Sequence, residues 1–319
     1  MNSAHHSFVF EAWTEKHIQS SFQSREGEVR IGNYLSLQES NQAKYVIIGI
    51  RECCGPLANN GRKGAEFAFP AFTKSFLNTQ VHDAYPSSDV RILGEIIEVT
   101  GADENLNKHK KVSELDAFLE QILIENVKPG QIPIVVGGGH NNALALIRWS
   151  SKNKKTAVIN LDAHADLRST EVRHSGNSFS TALKEGTLFH YSVLGLHEAY
   201  NNGFIRSQLS NDQIFHSFYE TYLMGERLLS DDLRNVLRHF HSDTTVGLEI
   251  DMDSIAYMPS SALSPSGWSL DQVRTFVRQF THAAKQIAYL NLTESAPQTD
   301  QESLLVGKAL SYLVRDFTA

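Results

Sequence analysis

Asn160-Leu161-Asp162-Ala163-His164-Ala165-Asp166 follows an apolar run over 157–161, and the rest of the chain is read outward from it. A short, unbroken apolar run is the mark of a strand buried on both faces. In an extended backbone side chains alternate faces at ~3.3 Å per residue, so Asp162, His164 and Asp166 can share one side, roughly 6 to 7 Å apart. Two other stretches repeat the arrangement: Val135-Val136-Gly137-Gly138-Gly139-His140 and Gly247-Leu248-Glu249-Ile250-Asp251-Met252-Asp253. In the latter, Glu249, Asp251 and Asp253 fall on one side, while Leu248, Ile250 and Met252 fall on the other.

Like charges gathered on buried strand ends repel strongly unless a cation sits among them. Imidazoles and carboxylates with no cysteine nearby suit a harder or borderline divalent ion such as manganese, with zinc also compatible. Two histidines and four carboxylates exceed what one ion needs, so two metals are expected.

The chain has 319 residues, 41% of them hydrophobic, enough for one large domain or two ordinary ones. A net charge of -7 without a polybasic cluster argues against nucleic-acid binding. No apolar stretch approaches the ~18 residues of a membrane span, and the first residues lack a signal-peptide pattern. Cys53 and Cys54 are sequence neighbours, where a disulfide would be strained. These features predict a soluble protein of the reducing cytoplasm.

Strand-like runs recur at 45–50, 92–99, 132–136, 157–161, 191–194, 245–250 and 287–292, with helix-like segments at 112–125, 141–150 and 271–285. A final helix is expected over 302–317, where the leucines fall at helical spacing. Strand alternating with helix predicts an α/β fold with a parallel sheet covered on both faces. The motifs then lie at the carboxyl edge of the sheet, where such folds bind ligands. Asn141 or Asn142 could cap the helix after His140. The stretch 208–238 receives no chemistry. One catalytic domain over 1–319 is expected, with a less defined N-terminal extension over 1–40.

The three motifs resemble those of the ureohydrolases, the arginase and agmatinase superfamily: a GG-x-H turn, a D-A-H-x-D segment and a D-x-D strand end. They stand here as Gly137-Gly138-Gly139-His140, Asp162-Ala163-His164-Ala165-Asp166 and Glu249-Ile250-Asp251. Asn59 or Asn60 with Gly61, Arg62, Gly64 and Ala65 is similar to the family's early N-x-G-R-x-G-A loop, and Glu294 to its substrate-facing glutamate. Gly139, Leu167-Arg168 and Ser175-Gly176-Asn177-Ser178-Phe179 are more similar to formimidoylglutamases than to arginases. The resemblance implies a three-layer α/β/α sandwich with a mostly parallel sheet, oligomers being common in that superfamily. It also implies two divalent ions, Mn2+ foremost, held by His140, Asp162, His164, Asp166, Glu249 and Asp251.

Two departures stand out. Glu249 is one methylene longer than the family's bridging Asp, and a carboxylate spanning ions about 3.5 Å apart is sensitive to that reach. The arginase histidine that shuttles protons has no counterpart, Phe179 falling near its place; His174 is the candidate substitute. Asp253 is left outside the ligand set, to hold the loop or a ligating histidine.

The expected activity is hydrolysis of a linear amidine, N-formimidoyl-L-glutamate to L-glutamate and formamide, a step of histidine degradation. Asp166 and Glu294 would act at the amidine, and Arg62, Arg168 and Asn177 would bind substrate, since Arg forks suit carboxylates. The alternatives are another ureohydrolase acting on agmatine, arginine or a guanidino acid, and a catalytically silent binding or regulatory homologue.

Overall fold

The computed structural model describes residues 3–4, 7–35, 43–81, 89–99 and 107–319. Among the described residues ten strands form one sheet: β1 (Ser3–Ala4), β2 (Phe8–Ala12), β3 (Tyr45–Arg51), β4 (Val90–Glu98), β5 (Ile132–Val136), β6 (Lys155–Leu161), β7 (His190–Leu196), β8 (Ile214–Phe218), β9 (Thr244–Asp251) and β10 (Ile287–Thr293). Their spatial order is β1-β2-β4-β3-β5-β10-β9-β6-β7-β8. From β4 to β8 neighbouring strands run parallel, whereas β2 joins β4, and β1 joins β2, antiparallel. Parallel neighbours need crossovers, and helices on both faces supply them. This is the expected α/β/α sandwich with a mostly parallel sheet.

Alternation along the strands builds two cores. Ile47, Ile159 and Leu248 enter one, against Phe72, Phe276 and Leu310 of helices Ala68–Phe76, Leu270–Ala283 and Asp300–Thr318. Ile48, Val158 and Tyr289 enter the other, against Leu119, Leu144 and Phe179 of helices Lys108–Asn126, Asn142–Ser151 and Ser178–Glu185. Each such side chain contributes about 1.5–3 kcal/mol on full burial. Packing on both faces therefore fixes the strand ends, and hence whatever stands on them.

The seven expected strands exist, their ends displaced by at most two residues. β2 and β8, five residues each, were not legible as apolar runs because they lie at the sheet's margins and carry polar residues. Helix Ala68–Phe76 holds Pro70 in its first turn, where the missing N–H has no intrahelical partner to lose. The stretch 208–238 contains β8 and helices Tyr219–Leu223 and Leu229–Arg238. Of the N-terminal 1–40, β2 belongs to the main sheet, and residues 1–2, 5–6 and 36–40 lie outside the described ones. Among the described residues no helix is long and apolar enough to cross a membrane.

Candidate metal centre

β5, β10, β9 and β6 stand side by side in the middle of the sheet, and the residues leaving their carboxyl ends meet. After β5 the chain turns through Gly137 (φ 93°) and Gly138 (φ 69°), left-handed conformations that favour glycine. A Cβ on Gly137 would lie 2.7 Å from the Ile50 carbonyl oxygen. Gly137 N–H donates to Leu292 O at 2.9 Å, and Glu294 N–H donates to Gly138 O at 2.9 Å. His140 N–H in turn donates to Glu294 Oε1 at 2.9 Å, so the two loops are laced together. Asn142 starts the next helix but caps nothing: its Nδ2 donates to Gly137 O at 3.0 Å.

His140 Nδ1 faces three carboxylates: Asp251 Oδ2 at 3.1 Å, Asp162 Oδ2 at 3.3 Å and Asp166 Oδ2 at 3.3 Å. Ligand atoms from these four residues lie within 4.8 Å of one another, as metal binding demands. A second group joins Asp162, His164 and Asp253. There His164 Nδ1 is 3.2 Å from Asp253 Oδ2 and 3.7 Å from Asp162 Oδ1. Asp162 therefore turns one oxygen to each histidine and belongs to both groups.

The route by which these residues converge differs from strand alternation. β6 ends at Leu161, and Asp162 Oδ1 accepts the His164 N–H at 2.7 Å, turning the chain. Asp166 then adopts a left-handed φ of 51°, and Glu294 one of 65°, both uncommon for residues other than glycine and frequent at functional sites.

Glu249 is in neither group. β9 runs on to Asp251, so Glu249 lies two residues inside the strand, fully buried, with Oε2 accepting from Asn291 Nδ2 at 2.6 Å. Beyond the strand, Asp251 Oδ1 accepts the Asp253 N–H at 2.8 Å and a 3-10 turn, Met252–Ser254, swings Asp253 toward His164. The D-x-D pair at the strand end is thus Asp251-Met252-Asp253. The sequence reading placed it two residues early, set Asp253 aside, and counted as a ligand Glu249, which stands outside both groups.

Burial opposes protonation of His140, yet its bonds to Asp162, Asp166, Asp251 and Glu249 push its pKa well above the usual imidazole range. His164 is likewise raised against burial, by the charges of Asp253 and Asp162. Burial also works against ionisation of Asp162, but bonds from both histidines outweigh it and hold that carboxyl low. Asp251 is pushed well upward by burial and then by Asp253 and Asp162. The cluster thus retains protons where divalent cations would relieve the same excess of negative charge. An oxygen-rich donor set with two imidazoles fits such ions.

A cavity of about 240 Å³ opens onto the cluster, lined among others by Asn59, Arg168, Tyr200, Asn202, Ser261 and Glu294. Glu294 is pushed up to about 7, first by burial, although the Ser261 hydroxyl and the His140 N–H both bond to it. Arg168 is the only Lys or Arg among the lining residues. Tyr200 stacks on His164 with ring centroids 5.4 Å apart. A larger cleft of about 1130 Å³, lined by Trp13, Lys74 and Lys308 among others, is walled by none of the clustered residues.

Three expected site residues do not reach the cavity. Arg62 spends its guanidinium on the Ser260 carbonyl, bracing the loop that carries Ser261. Asn177 is fully buried; its Nδ2 donates to Ser169 O and Val172 O, both at 2.7 Å, and its Oδ1 accepts from Arg173. His174 Nδ1 accepts the Gly176 N–H at 3.1 Å, and burial, then Arg168 and Arg173, lower its pKa to about 4. It is a neutral cap to a turn. Sequence reasoning also missed Tyr200 and Ser261, although Tyr200 follows β7 at the same sheet edge and could have been sought there.

A parallel α/β sheet with two carboxylate-imidazole groups sharing one aspartate at its carboxyl edge is an arrangement that suits hydrolases built around a pair of divalent ions. The chain belongs to the arginase family, whose sequence model matches residues 43–317. A formimidoylglutamase of Streptococcus pyogenes serotype M12 is 26% identical over 295 residues, covering 88% of this chain and 86% of the relative. The crystal structure of formimidoylglutamase from Bacillus subtilis superposes with a TM-score of 0.76 at 18% identity, covering 92% of this chain and 93% of that one. Formiminoglutamase of Trypanosoma cruzi with Mn2+ superposes with a TM-score of 0.71 at 19% identity, covering 91% and 99%. The protein is accordingly a metal-dependent amidino hydrolase.

Proposed function

We propose that the protein hydrolyses N-formimidoyl-L-glutamate to L-glutamate and formamide, using two divalent ions, Mn2+ foremost. The observation that carries this reading is the pair of ligand groups sharing Asp162, beside Glu294 and a lone cavity arginine. His140, Asp162, Asp166 and Asp251 would hold one ion, and Asp162, His164 and Asp253 the other. When bound, such ions polarise the reacting carbon-nitrogen group and lower the pKa of water toward neutrality.

The chain's own residues supply binding and orientation. Glu294 meets the amidinium, its Oε1 fixed by the His140 N–H and its Oε2 by the Ser261 hydroxyl. Arg168, with no carboxylate within ion-pair distance among the described residues, is available to a substrate carboxylate. The amides of Asn59 and Asn202 line the same cavity and can serve the second carboxylate. Holding the substrate at both ends over Asp166 converts binding into alignment of the amidine carbon. His174 takes no part in proton transfer. The reading places the protein in a reducing cytoplasm, in keeping with the free thiols of Cys53 and Cys54.

The test is a substrate panel of N-formimidoyl-L-glutamate, agmatine and arginine, assayed for formamide and urea with metal counted per chain. Manganese-dependent formamide release with two ions per chain supports the proposal. Urea release from agmatine or arginine, or two ions with no turnover of formimidoylglutamate, overturns the substrate; no bound metal overturns the whole reading.

A further inference from the structure

One rung below the candidate ligands, the same sheet face carries a second polar row. Asn160 of β6, Glu249 of β9 and Asn291 of β10 are cross-strand partners, and all are fully buried. Asn160 Nδ2 donates to Asp162 Oδ2 at 3.0 Å, supporting that carboxylate from beneath. Glu249 flanks His140: its Oε2 is 3.4 Å from His140 Nε2, on the ring edge opposite the three aspartates, a charge contact longer than the Asn160 bond, and among the described residues Nε2 has no other partner. Among the described residues His140 is the only basic side chain within 4.0 Å of Glu249. Gly247 leaves room beneath for Tyr289, whose Cζ lies 2.2 Å from where a Cβ would stand.

A carboxylate buried this deeply is stable only with donors on its oxygens. Asn291 Nδ2 provides one at 2.6 Å, and the Tyr289 hydroxyl and the ring N–H of His140 are the other donors close to it, of which only His140 belongs to the candidate ligands. A neutral imidazole has one N–H, so a proton on Nε2 leaves the Nδ1 lone pair facing Asp162, Asp166 and Asp251. We propose that Glu249, held by Asn291, is the positioning residue that fixes the Nε2–H tautomer and the ring plane of His140, presenting Nδ1 to a metal ion. This rests on the reading of the cluster as a dinuclear centre. It assigns Glu249 to the support of a ligand and not to the ligand set. Carboxylate partners of this kind orient metal-binding imidazoles and are worth about 10- to 100-fold in metal affinity.

The experiment is a Mn2+ titration followed by electron paramagnetic resonance on wild type, Glu249→Ala and Glu249→Gln. The expected result is two ions on each protein, one of them bound about 10- to 100-fold more weakly in Glu249→Ala. Glu249→Gln should fall between, because the amide oxygen can still accept from Nε2–H. Affinities within twofold of wild type at both sites, or the outright loss of one ion from both variants, overturn the proposal. If the alanine variant does not fold, the wild type decides alone. Loaded with diamagnetic Zn2+ and labelled with 15N-histidine, it should show His140, identified by its absence from His140→Gln, protonated at Nε2 and metal-bound at Nδ1; any other pattern refutes the assignment. Wild type that binds no divalent ion defeats the dinuclear reading itself, whereas two ions with an indifferent Glu249→Ala defeats only this inference.

Discussion

Glu52 is fully buried at the end of β3 and touches no ligand, yet removing it should loosen the centre. Its Oε1 accepts the Gly139 N–H at 2.8 Å and Asn141 Nδ2 at 3.3 Å; its Oε2 accepts the Gly55 N–H at 3.0 Å. It thereby ties the loop ending in His140 to the loop that carries Asn59. Glu52→Ala leaves the Gly139 and Gly55 N–H groups without an acceptor where water does not reach, each costing about 1–3 kcal/mol, while Asn141 Nδ2 keeps Asn142 Oδ1. Burial, the largest influence on this carboxyl, raises its pKa, so relief of that desolvation offsets part of the loss. The net destabilisation should be about 2–3 kcal/mol. Glu52→Gln keeps one acceptor oxygen and the shape, and should cost about 1–2 kcal/mol. Urea unfolding followed by circular dichroism gives the order, and Mn2+ titration should show both variants binding more weakly. An alanine variant within 1 kcal/mol of wild type, or a glutamine variant as damaged as the alanine one, would refute the reasoning.

Arg168→Gln should raise KM for a dicarboxylate amidine by roughly 10- to 100-fold with a smaller change in kcat, because a charge-assisted contact made in both ground and transition states is lost; steady-state kinetics with unchanged KM would clear Arg168 of substrate binding. Asp253→Ala should reduce the bound metal from two ions to one, read by elemental analysis after dialysis, since the His140 group keeps its members; retention of two would show that Asp162 and His164 suffice. For pH, the His174 imidazole takes its proton near 6.5 when unfolded but only near 4 when folded. The unfolded state therefore binds more protons between those values, so stability falls as pH drops through that window, by about 2 kcal/mol after allowance for solvent screening. His174→Gln, whose side chain can still accept from Gly176 N–H, should flatten this acid limb in chemical-denaturation midpoints; an unchanged slope would assign it to other groups.

What was legible follows from what burial does to a sequence. β5, β6, β9 and β10 are covered on both faces, so each is an unbroken apolar run whose end is announced by the first acid, histidine or glycine. That is why His140, Asp162, His164, Asp166 and Glu294 could be picked out. The same rule failed at β9 because Glu249 is a buried acid inside the strand. Read as the strand's end, it shifted the D-x-D pair by two residues and excluded Asp253, whose approach depends on a 3-10 turn invisible to strand periodicity. Arg62, His174 and Asn177 lie off the cavity for a different reason. Their residue types suit substrate binding, but Arg62 is spent on Ser260 O, Asn177 on Arg173 and the carbonyls of Ser169 and Val172, and His174 Nδ1 on Gly176 N–H. A sequence states which donors and acceptors a loop owns, whereas only the folded backbone states which of them remain uncommitted. Of the three arginine and asparagine candidates for substrate, Arg168 alone stands at the cavity wall, with no carboxylate in ion-pair distance among the described residues, and the proposed specificity turns on it.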